Sequence, residues 1–349
     1  MRLALYEPNL GYYSVNTENW VNKAILLPHL KFHPFTECIG IQCCSVLEQL
    51  AGGDILEIGA GTGKMAGDLL LFLEQRGVLP THYFILEISP DLIQRQKKYL
   101  AERIPHLFSR LQWLDSPLKK PLKGLILANE VADALPVHRF VWRNQDVAEL
   151  RVRESGAALT WQFTPVRTRA RKEKLLRLRQ NYFPNTSEYV SEVCFGLAAW
   201  VRQLSEMLKQ GVILVIDYGY GAREYYHPQR KQGTLRCYWQ HSAHDNPFVA
   251  IGQQDITASV DFSRLARCAS QSGLQLASFT TQAAFLLNNG LLERLEKWYN
   301  PDLILELKAQ VQCLTSPNEM GERIKVMSLT RDFSLDEPNL MPSNCLHTL

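Results

Sequence analysis

Short runs of consecutive apolar residues recur along the chain, separated by longer segments with helical periodicity. The five runs are DILEI (54–58), YFILEI (83–88), RLQWLD (110–115), GLILA (124–128) and GVILVIDYG (211–219). Because these runs do not alternate with polar residues, they are typical of strands buried on both faces of a helix-covered parallel sheet. The pattern predicts an α/β fold.

Two of the intervening segments have the spacing of amphipathic helices. GKMAGDLLLFLEQRG keeps Leu69, Leu70, Phe72 and Leu73 at helical spacing, and SPDLIQRQKKYLAER opens with a Ser-Pro start signal. Strands that alternate with such helices form a sheet with helices on both faces. We therefore expect a Rossmann-like sheet elaborated by inserted segments.

Two segments interrupt the α/β rhythm, at about 140–185 and 220–255. The first contains FVWRN and ELRVRE, which predict a hairpin, and then RTRARKEKLLRLRQ, a basic run that favours either a solvated helix face or a contact surface for an acidic partner. The second is long and polar, as functional loops often are. LQLASFTTQAAF and IKVMSLTRDF are expected to close the sheet.

These patterns divide the chain into three parts. We expect an N-terminal helical or lid segment at 1–45, the main domain with both insertions at 46–332, and a mobile tail at 333–349.

Composition excludes several classes of protein. The net charge is only +3, from 38 basic and 35 acidic side chains, which gives no indication of a nucleic-acid or membrane partner. No run of about 18 apolar residues occurs, so no membrane span is expected. The N-terminus, MRLALYEPNLGYY, lacks the features of a signal or transit peptide. Eight cysteines without a Cys-x-x-Cys pair indicate reduced thiols, and we expect a cytoplasmic protein.

The strongest chemical signal is ILEIGAGTGKMAGDLL, in which an apolar strand leads through Gly59, Gly61 and Gly63 into a helix. Glycines at such a turn let the backbone approach a ligand at the helix N-terminus. A nucleotide-type ligand is therefore expected there.

Two familiar nucleotide motifs do not fit this turn. A P-loop requires Gly at the position of Ile58 and a hydroxyl at the position of Met65. A dinucleotide fingerprint requires a third Gly where Lys64 stands. Both departures argue against a nucleoside triphosphate and against NAD.

S-adenosylmethionine is the remaining interpretation, because acids follow three successive strands. Glu57 suits the ammonium group, Glu87 suits the ribose hydroxyls, and Asp115 suits the adenine edge. Each acid alone could be an ordinary strand end. Ile88, beside the second acid, and Asn129, at the end of the GLILA strand, complete the predicted cofactor contacts.

These motifs resemble the MidA family of S-adenosylmethionine-dependent methyltransferases. The resemblance rests on EIGAGTG, LEISPDL, ANEVADALPVHRF, IDYGYGAREYYHPQRKQGTLRCYWQHSAHDNPF, GQQDITASVDF, TQAAFLLNNG and MGERIKVMSLTR, and it covers roughly Leu3 to Arg331. One departure is that NKAILLPHLKFHPFTECIG stands where the family usually carries a Gly-Asp-Phe-x-Thr-Ala-Pro-Glu segment. That segment is expected to line the entrance to the site.

The resemblance also implies a function. Mitochondrial members of the family are assembly factors of respiratory complex I that methylate a protein arginine. We therefore expect a bacterial enzyme that methylates a protein substrate, such as a subunit of a respiratory NADH dehydrogenase, with a homodimer as a candidate assembly. Two alternatives stay open: a non-catalytic assembly protein that keeps the cofactor fold, and a methyltransferase for a small molecule.

The acceptor side is expected at ANEVADALP. Carboxylates can hold a guanidinium bidentately, and Glu130 and Asp133 would share one helix face if the chain turns helical after Asn129. The alternative is that Asn129 caps this helix and the acids interact with its dipole. We predict Glu130 and Asp133 as catalytic residues.

The HSAHDNPF loop allows two interpretations. Its potential metal ligands are His227, His241, His244 and Asp245. They lack helical spacing and a cysteine pair, so a loop that covers the substrate is favoured, with His244 as a polar catalytic contact. Its expected walls are Tyr225, Tyr226, Tyr238 and Trp239. Asp255 either orients this loop or caps a helix starting near Thr257.

Overall fold

The computed structural model describes residues 1–14, 34–143, 146–156, 158–182, 187–240, 242–297, 304–335 and 345–349. The described helices are α1 Arg2–Tyr6, α2 Pro34–Gln49, α3 Lys64–Gln75, α4 Pro90–Arg103, α5 Arg169–Tyr182, α6 Leu197–Met207, α7 Ala222–Tyr225, α8 Phe262–Gln271, α9 Gln282–Asn288, α10 Leu291–Lys297 and α11 Ile304–Thr315. Short 3₁₀ turns at Phe108–Arg110 and Leu346–Thr348 complete the helical elements.

The described strands are β1 Asp54–Ile58, β2 Tyr83–Leu86, β3 Leu111–Leu114, β4 Leu122–Asn129, β5 His138–Arg143, β6 Asp146–Ser155, β7 Ala158–Pro165, β8 Glu188–Val193, β9 Leu208–Tyr220, β10 Arg236–Trp239, β11 Ser242–His244, β12 Asp255–Thr257, β13 Val260–Asp261, β14 Gln275–Thr281 and β15 Ile324–Arg331. All five apolar runs of the sequence are strands, so that prediction is confirmed. Of the two expected closing segments, LQLASFTTQAAF divides into β14 and α9.

The central sheet has the strand order β14-β15-β9-β4-β1-β2-β3, and β13 adds a short pairing to β9. The five strands from β9 to β3 in this order are parallel, whereas β15 is antiparallel to β9 and β14 is antiparallel to β15. The predicted Rossmann-like sheet is confirmed.

Register brings three strand ends to one level. Ile58, the last residue of β1, pairs with Leu86 at the end of β2 and with Ala128 near the end of β4. Ligands of open α/β sheets bind outside the carboxyl ends of the strands. The loops that follow these three strands therefore begin side by side at the ligand edge.

Neighbouring strand residues pack on opposite faces of the sheet. Leu125 belongs to a buried cluster with residues of α2, α3 and α9. Ile126 belongs to a second cluster with residues of α6 and α8. Because successive side chains of a strand point to opposite faces, a strand covered on both faces must be apolar throughout. This explains the uninterrupted apolar runs of the sequence.

The chain between β4 and β9 builds a second sheet, antiparallel, with the order β7-β6-β5-β8. The predicted hairpin is β5 and β6, and β7 is a further strand that the sequence analysis did not assign. The basic run forms α5, where Lys172 pairs with Asp146 of β6 and Arg169 pairs with Glu173 of its own helix. Those cations have partners within the insertion.

A third, three-stranded sheet, β11-β10-β12, forms in the second insertion. The N-terminal segment packs against it, with Leu5 and Tyr12 in one buried cluster with Cys237 and Ile256. Most of the segment that departs from the family pattern lies outside the described residues.

The last described residues, 345–349, contact the central sheet. The Cys345 N–H donates to the Phe279 carbonyl of β14 at 2.6 Å. A Cβ on Gly221 would clash with the Thr348 carbonyl oxygen. Residues 345–349 thus pack on the central sheet. No described helix has the length and apolarity that crossing a lipid bilayer requires.

Candidate active site

The glycine turn after β1 has the backbone geometry that only glycine adopts without strain. Gly59, Gly61 and Gly63 have φ values of +67°, +54° and +79°. Gly63 immediately precedes α3. A Cβ placed on Gly61 would meet nothing within 4 Å, so this part of the turn faces open space.

Glu87 follows β2 and is 5% exposed. Its Oε1 accepts hydrogen bonds from the N–H groups of Ile88, at 2.9 Å, and Ser89, at 3.0 Å. Its Oε2 accepts from Gln96 Nε2 at 3.2 Å. Burial raises the pKa of Glu87, and these hydrogen bonds act in the opposite direction. The carboxylate is therefore held in one orientation beside the turn.

Glu57, predicted to contact the ammonium group, is almost fully buried in the structure. It is 2% exposed within β1, and the Tyr83 hydroxyl donates to its Oε2 at 2.8 Å. Burial raises its pKa to about 7. The structure thus places Glu57 one residue before the end of β1, in contact with β2 through Tyr83.

Two more predicted cofactor residues lie at the surface of this edge. Ile88 is 63% exposed, which leaves an apolar side chain available next to Glu87. Asp115, just past β3, is exposed and accepts a hydrogen bond from the Ser116 hydroxyl at 2.9 Å.

The loop after β4 is not helical, which makes the capping interpretation of Asn129 wrong. Asn129 is the last residue of β4, and its side chain hydrogen-bonds to the Glu130 carboxylate. Glu130 has a φ of +50°, a left-handed conformation that an L-residue adopts at a cost. The expectation that Glu130 and Asp133 share a helix face is also wrong.

Asp217, in β9, holds this loop in place. Its Oδ2 accepts from three consecutive N–H groups, those of Val131 at 3.1 Å, Ala132 at 2.8 Å and Asp133 at 3.2 Å. One buried carboxylate thus satisfies backbone donors that have no helical hydrogen-bond partner in this loop. The motifs of the sequence do not single out Asp217, although an acid inside the apolar run GVILVIDYG is the available signal.

Four carboxylates meet at this loop. Burial, followed by the charges of Asp217 and Asp255, raises the pKa of Glu130 to about 7. The same causes raise the pKa of Asp133 well above its usual range. Burial raises the pKa of Asp217 to about 7 and that of Asp255 to about 6. Among the described residues no Arg, Lys or His forms an ion pair with any of the four, and a cation bound there would favour their ionised forms.

Tyrosines of the N-terminal segment join this cluster to its surroundings. The Tyr6 hydroxyl donates to the Ala134 carbonyl at 2.9 Å, and the Tyr13 hydroxyl donates to Asp255 Oδ1 at 3.1 Å. Asp255 lies in β12, and the next helix, α8, is capped by Asp261. Asp255 therefore does not cap a helix near Thr257.

The expected walls of the loop separate into two groups. Tyr225 and Tyr226 are buried in the core of the second sheet, which contradicts their expected place beside the substrate. Tyr238, in β10, lies near the cluster, since the charge of Asp133 raises its pKa after burial does. Tyr218 lies there as well, because its pKa is raised first by burial and then by the charge of Glu130.

His244 lies in β11, opposite Cys237. Its Nδ1 accepts from the Asn246 N–H at 3.2 Å, and no hydrogen bond joins it to the carboxylates of the cluster in the part of the chain that the structure describes. The His227 Nδ1 accepts from the Gln229 N–H at 3.3 Å. No group of three metal-ligating side chains occurs among the described residues, and His241 lies outside them.

The edge suits S-adenosylmethionine. The glycine turn is open, an apolar side chain is exposed beside it, and Glu87 keeps acceptor capacity at Oε2. The buried carboxylates Glu130 and Asp133 lie on the neighbouring loop, after β4. The fold and the site together define a methyltransferase that uses S-adenosylmethionine.

Comparison with known proteins agrees. The chain belongs to a family of S-adenosyl-L-methionine-dependent methyltransferases, whose sequence profile matches residues 38–280. The mitochondrial protein arginine methyltransferase NDUFAF7 of Danio rerio is 28% identical over 374 aligned positions, covering 98% of this chain and 84% of that protein. The human protein of the same name is 29% identical, with 94% and 78% covered. The resemblance drawn from the sequence is thereby confirmed.

A solved structure carries the cofactor product. A protein of Burkholderia thailandensis, crystallised with S-adenosyl-homocysteine, superimposes with a TM-score of 0.90 at 32% identity, covering all of this chain and 90% of that one. This neighbour supports S-adenosylmethionine as the cofactor of the present chain.

Proposed function

We propose that the protein transfers a methyl group from S-adenosylmethionine to an arginine side chain of a protein. The observation that carries the proposal is the cluster of four carboxylates with no cationic partner among the described residues. A guanidinium is planar, permanently charged and suited to bidentate contact with carboxylates. The NDUFAF7 relatives are named protein arginine methyltransferases, which supports the same acceptor.

The cofactor side would be held by the residues around the glycine turn. We assign Gly59, Gly61 and Gly63 to the close approach of the ligand, and Glu87 to the ribose hydroxyls. Ile88 would contact the adenine face, with Asp115 near its edge. Asn129 would border the cofactor, and Glu57 would serve its ammonium group.

The acceptor side would position the nucleophile and take its proton. When bound, S-adenosylmethionine supplies an electrophilic methyl group on a sulfonium. The N–C bond forms as the C–S bond breaks, and the electron pair of that bond stays on sulfur in S-adenosylhomocysteine. The guanidinium proton passes to the carboxylate cluster, where Glu130, with a pKa of about 7, is suited to accept it. Asp133 would fix the guanidinium plane, and His244 stays a predicted polar contact.

We further propose that the acceptor is a subunit of a respiratory NADH dehydrogenase, on the strength of the family resemblance. The test is to incubate the protein and deuterated-methyl S-adenosylmethionine with a lysate that lacks it, followed by peptide mass spectrometry. Label on arginine of such a subunit, absent with Glu130→Gln, is the expected result. Label on lysine or only on small molecules would contradict the proposal, and no label on any component would favour a non-catalytic protein.

A further inference from the structure

Gln96, in α4, is a buried amide whose polar atoms all have partners. It is 0% exposed. Its Nε2 donates to the Gly61 carbonyl at 2.9 Å and to Glu87 Oε2 at 3.2 Å, while its Oε1 accepts from Trp113 Nε1 at 3.0 Å. One side chain thus connects the loops after β1 and β2 with strand β3.

The orientation of this amide is determined by its partners. The indole N–H of Trp113 can only donate, so it must face Gln96 Oε1. The two protons on Nε2 then face two acceptors, a carbonyl and a carboxylate. A flipped amide would place its oxygen against both acceptors and leave three groups unsatisfied, which is costly in a buried site.

The position of Gln96 in its helix is unusual for a polar residue. Leu100 lies one turn further along the same face and is fully buried. A Cβ on Gly63 would lie 3.4 Å from the Gln96 side chain, so the helix packs closely on the glycine turn. An apolar residue would fill this place with less desolvation, which indicates a role other than packing.

We propose that Gln96 is a positioning residue that fixes the Glu87 carboxylate for the ribose hydroxyls of S-adenosylmethionine. The inference rests on the ribose role proposed above for Glu87. Backbone N–H groups hold one oxygen of this carboxylate, and Gln96 holds the other. By also binding the Gly61 carbonyl, Gln96 sets the distance between the ribose contact and the glycine turn. It thereby determines selectivity for a ribonucleoside ligand.

The test compares, by calorimetry, the affinities of the unchanged protein and of a Gln96 variant for two ligands. The ligands are S-adenosylhomocysteine and its 2′,3′-dideoxy analogue, which lacks both ribose hydroxyls. Gln96→Met keeps the length of the side chain but removes its hydrogen bonds. We expect this variant to bind S-adenosylhomocysteine about tenfold more weakly and the analogue within about twofold of the unchanged protein. A general structural defect would weaken both ligands equally.

Two variants serve as controls. Gln94→Met makes the same substitution at an exposed position two residues away on the same helix, and it should leave both affinities unchanged. Trp113→Phe removes only the indole donor that orients the amide, and it should reduce the preference for the ribose by about threefold. It also provides a milder variant if Gln96→Met does not fold, which thermal unfolding reports.

Glu87→Gln separates failure of this inference from failure of the ribose assignment. If Glu87→Gln loses the preference for the ribose while Gln96→Met and Trp113→Phe keep it, the role of Gln96 is wrong and that of Glu87 stands. If Glu87→Gln keeps the full preference, the ribose assignment is wrong and the inference falls with it. Equal weakening of both ligands by Gln96→Met would overturn the inference as well.

Discussion

Glu130 combines a left-handed backbone, a raised pKa and a position in a carboxylate cluster. Strain and unfavourable charge tend to persist where function requires them. Because the carboxylate must be ionised to accept a proton, kcat/KM for the acceptor should rise as the pH increases through about 7. Glu130→Gln should lower transfer about 100-fold and flatten this part of the profile. A full pH dependence in the variant would exclude Glu130 as its source.

The same residue should reduce stability in the ligand-free protein. Its pKa is raised from 4.5 to about 7 in the folded state, so folding disfavours the ionised form, and stability falls as the pH rises across that interval. At pH 8, Glu130→Gln should stabilise the fold by about 1 kcal/mol, since it removes a partly buried charge. At pH 4, where the carboxyl is protonated, the two proteins should unfold at the same temperature. Thermal unfolding at both values provides the check.

Asp217 makes a contribution of a different kind, because it satisfies four backbone donors, three in the loop after β4 and that of Tyr218. Asp217→Ala leaves these N–H groups without their acceptor and should cost about 1–3 kcal/mol of stability. Asp217→Asn, which keeps one acceptor oxygen, should cost less. Denaturant unfolding measures both, and equal losses of stability in the two variants would show that these hydrogen bonds do not stabilise the fold. Binding of S-adenosylhomocysteine should persist in Asp217→Asn, because Asp217 holds the loop after β4, which is assigned to the acceptor and not to the cofactor.

At the scale of the element, the glycine turn offers a comparison with a built-in control. Gly61 and Gly77 both have positive φ, +54° and +72°, and a Cβ on either would meet nothing within 4 Å. Alanine at either position should therefore cost about 1–2 kcal/mol through the backbone alone. Gly61→Ala should additionally weaken S-adenosylhomocysteine by about tenfold or more, because the new methyl group projects into the cofactor site. Equal affinities in the two variants would place the ligand elsewhere.

The elements also show where inference from sequence succeeds. An apolar run such as DILEI, which is buried on both faces, fits only a strand inside a covered sheet. The glycine turn after it likewise fits only a few backbone conformations. The loop after β4 was different. The prediction of a helix there was wrong, because the loop is held by hydrogen bonds to Asp217, which is 84 residues beyond Asp133. A local sequence pattern cannot reveal a hydrogen bond between residues so far apart in the chain.

Partners distant in sequence explain the other misses. Gln96 is one polar residue on an apolar helix face. Its role becomes visible only when the fold brings Gly61 and Glu87 beside it. Tyr13 belongs to the site because the N-terminal segment packs on the third sheet, which the sequence analysis treated as a loop. Tyr225 and Tyr226 were expected at the substrate, yet they serve the core of the insertion. The division of the chain into lid, main domain and tail stays a prediction.

At the scale of the whole molecule, the ligand edge has two functional halves. The loops after β1, β2 and β3 form the cofactor half, and β4, β9 and the third sheet form the acidic half. The N-terminal segment ties the acidic half together through Tyr6 and Tyr13. Under the proposed function, a sulfonium donor would lie next to a cationic acceptor, and the carboxylates would offset part of this positive charge.

The most direct measurement is the binding of a charged and a neutral form of one side chain. N-acetylarginine amide and N-acetylcitrulline amide have similar shapes, but only the first carries a guanidinium. Titrated into protein loaded with S-adenosylhomocysteine at pH 8, the arginine compound should bind about tenfold or more tightly than the citrulline compound, and Glu130→Gln should reduce that preference. Equal binding of the two compounds would contradict an arginine site in the carboxylate cluster.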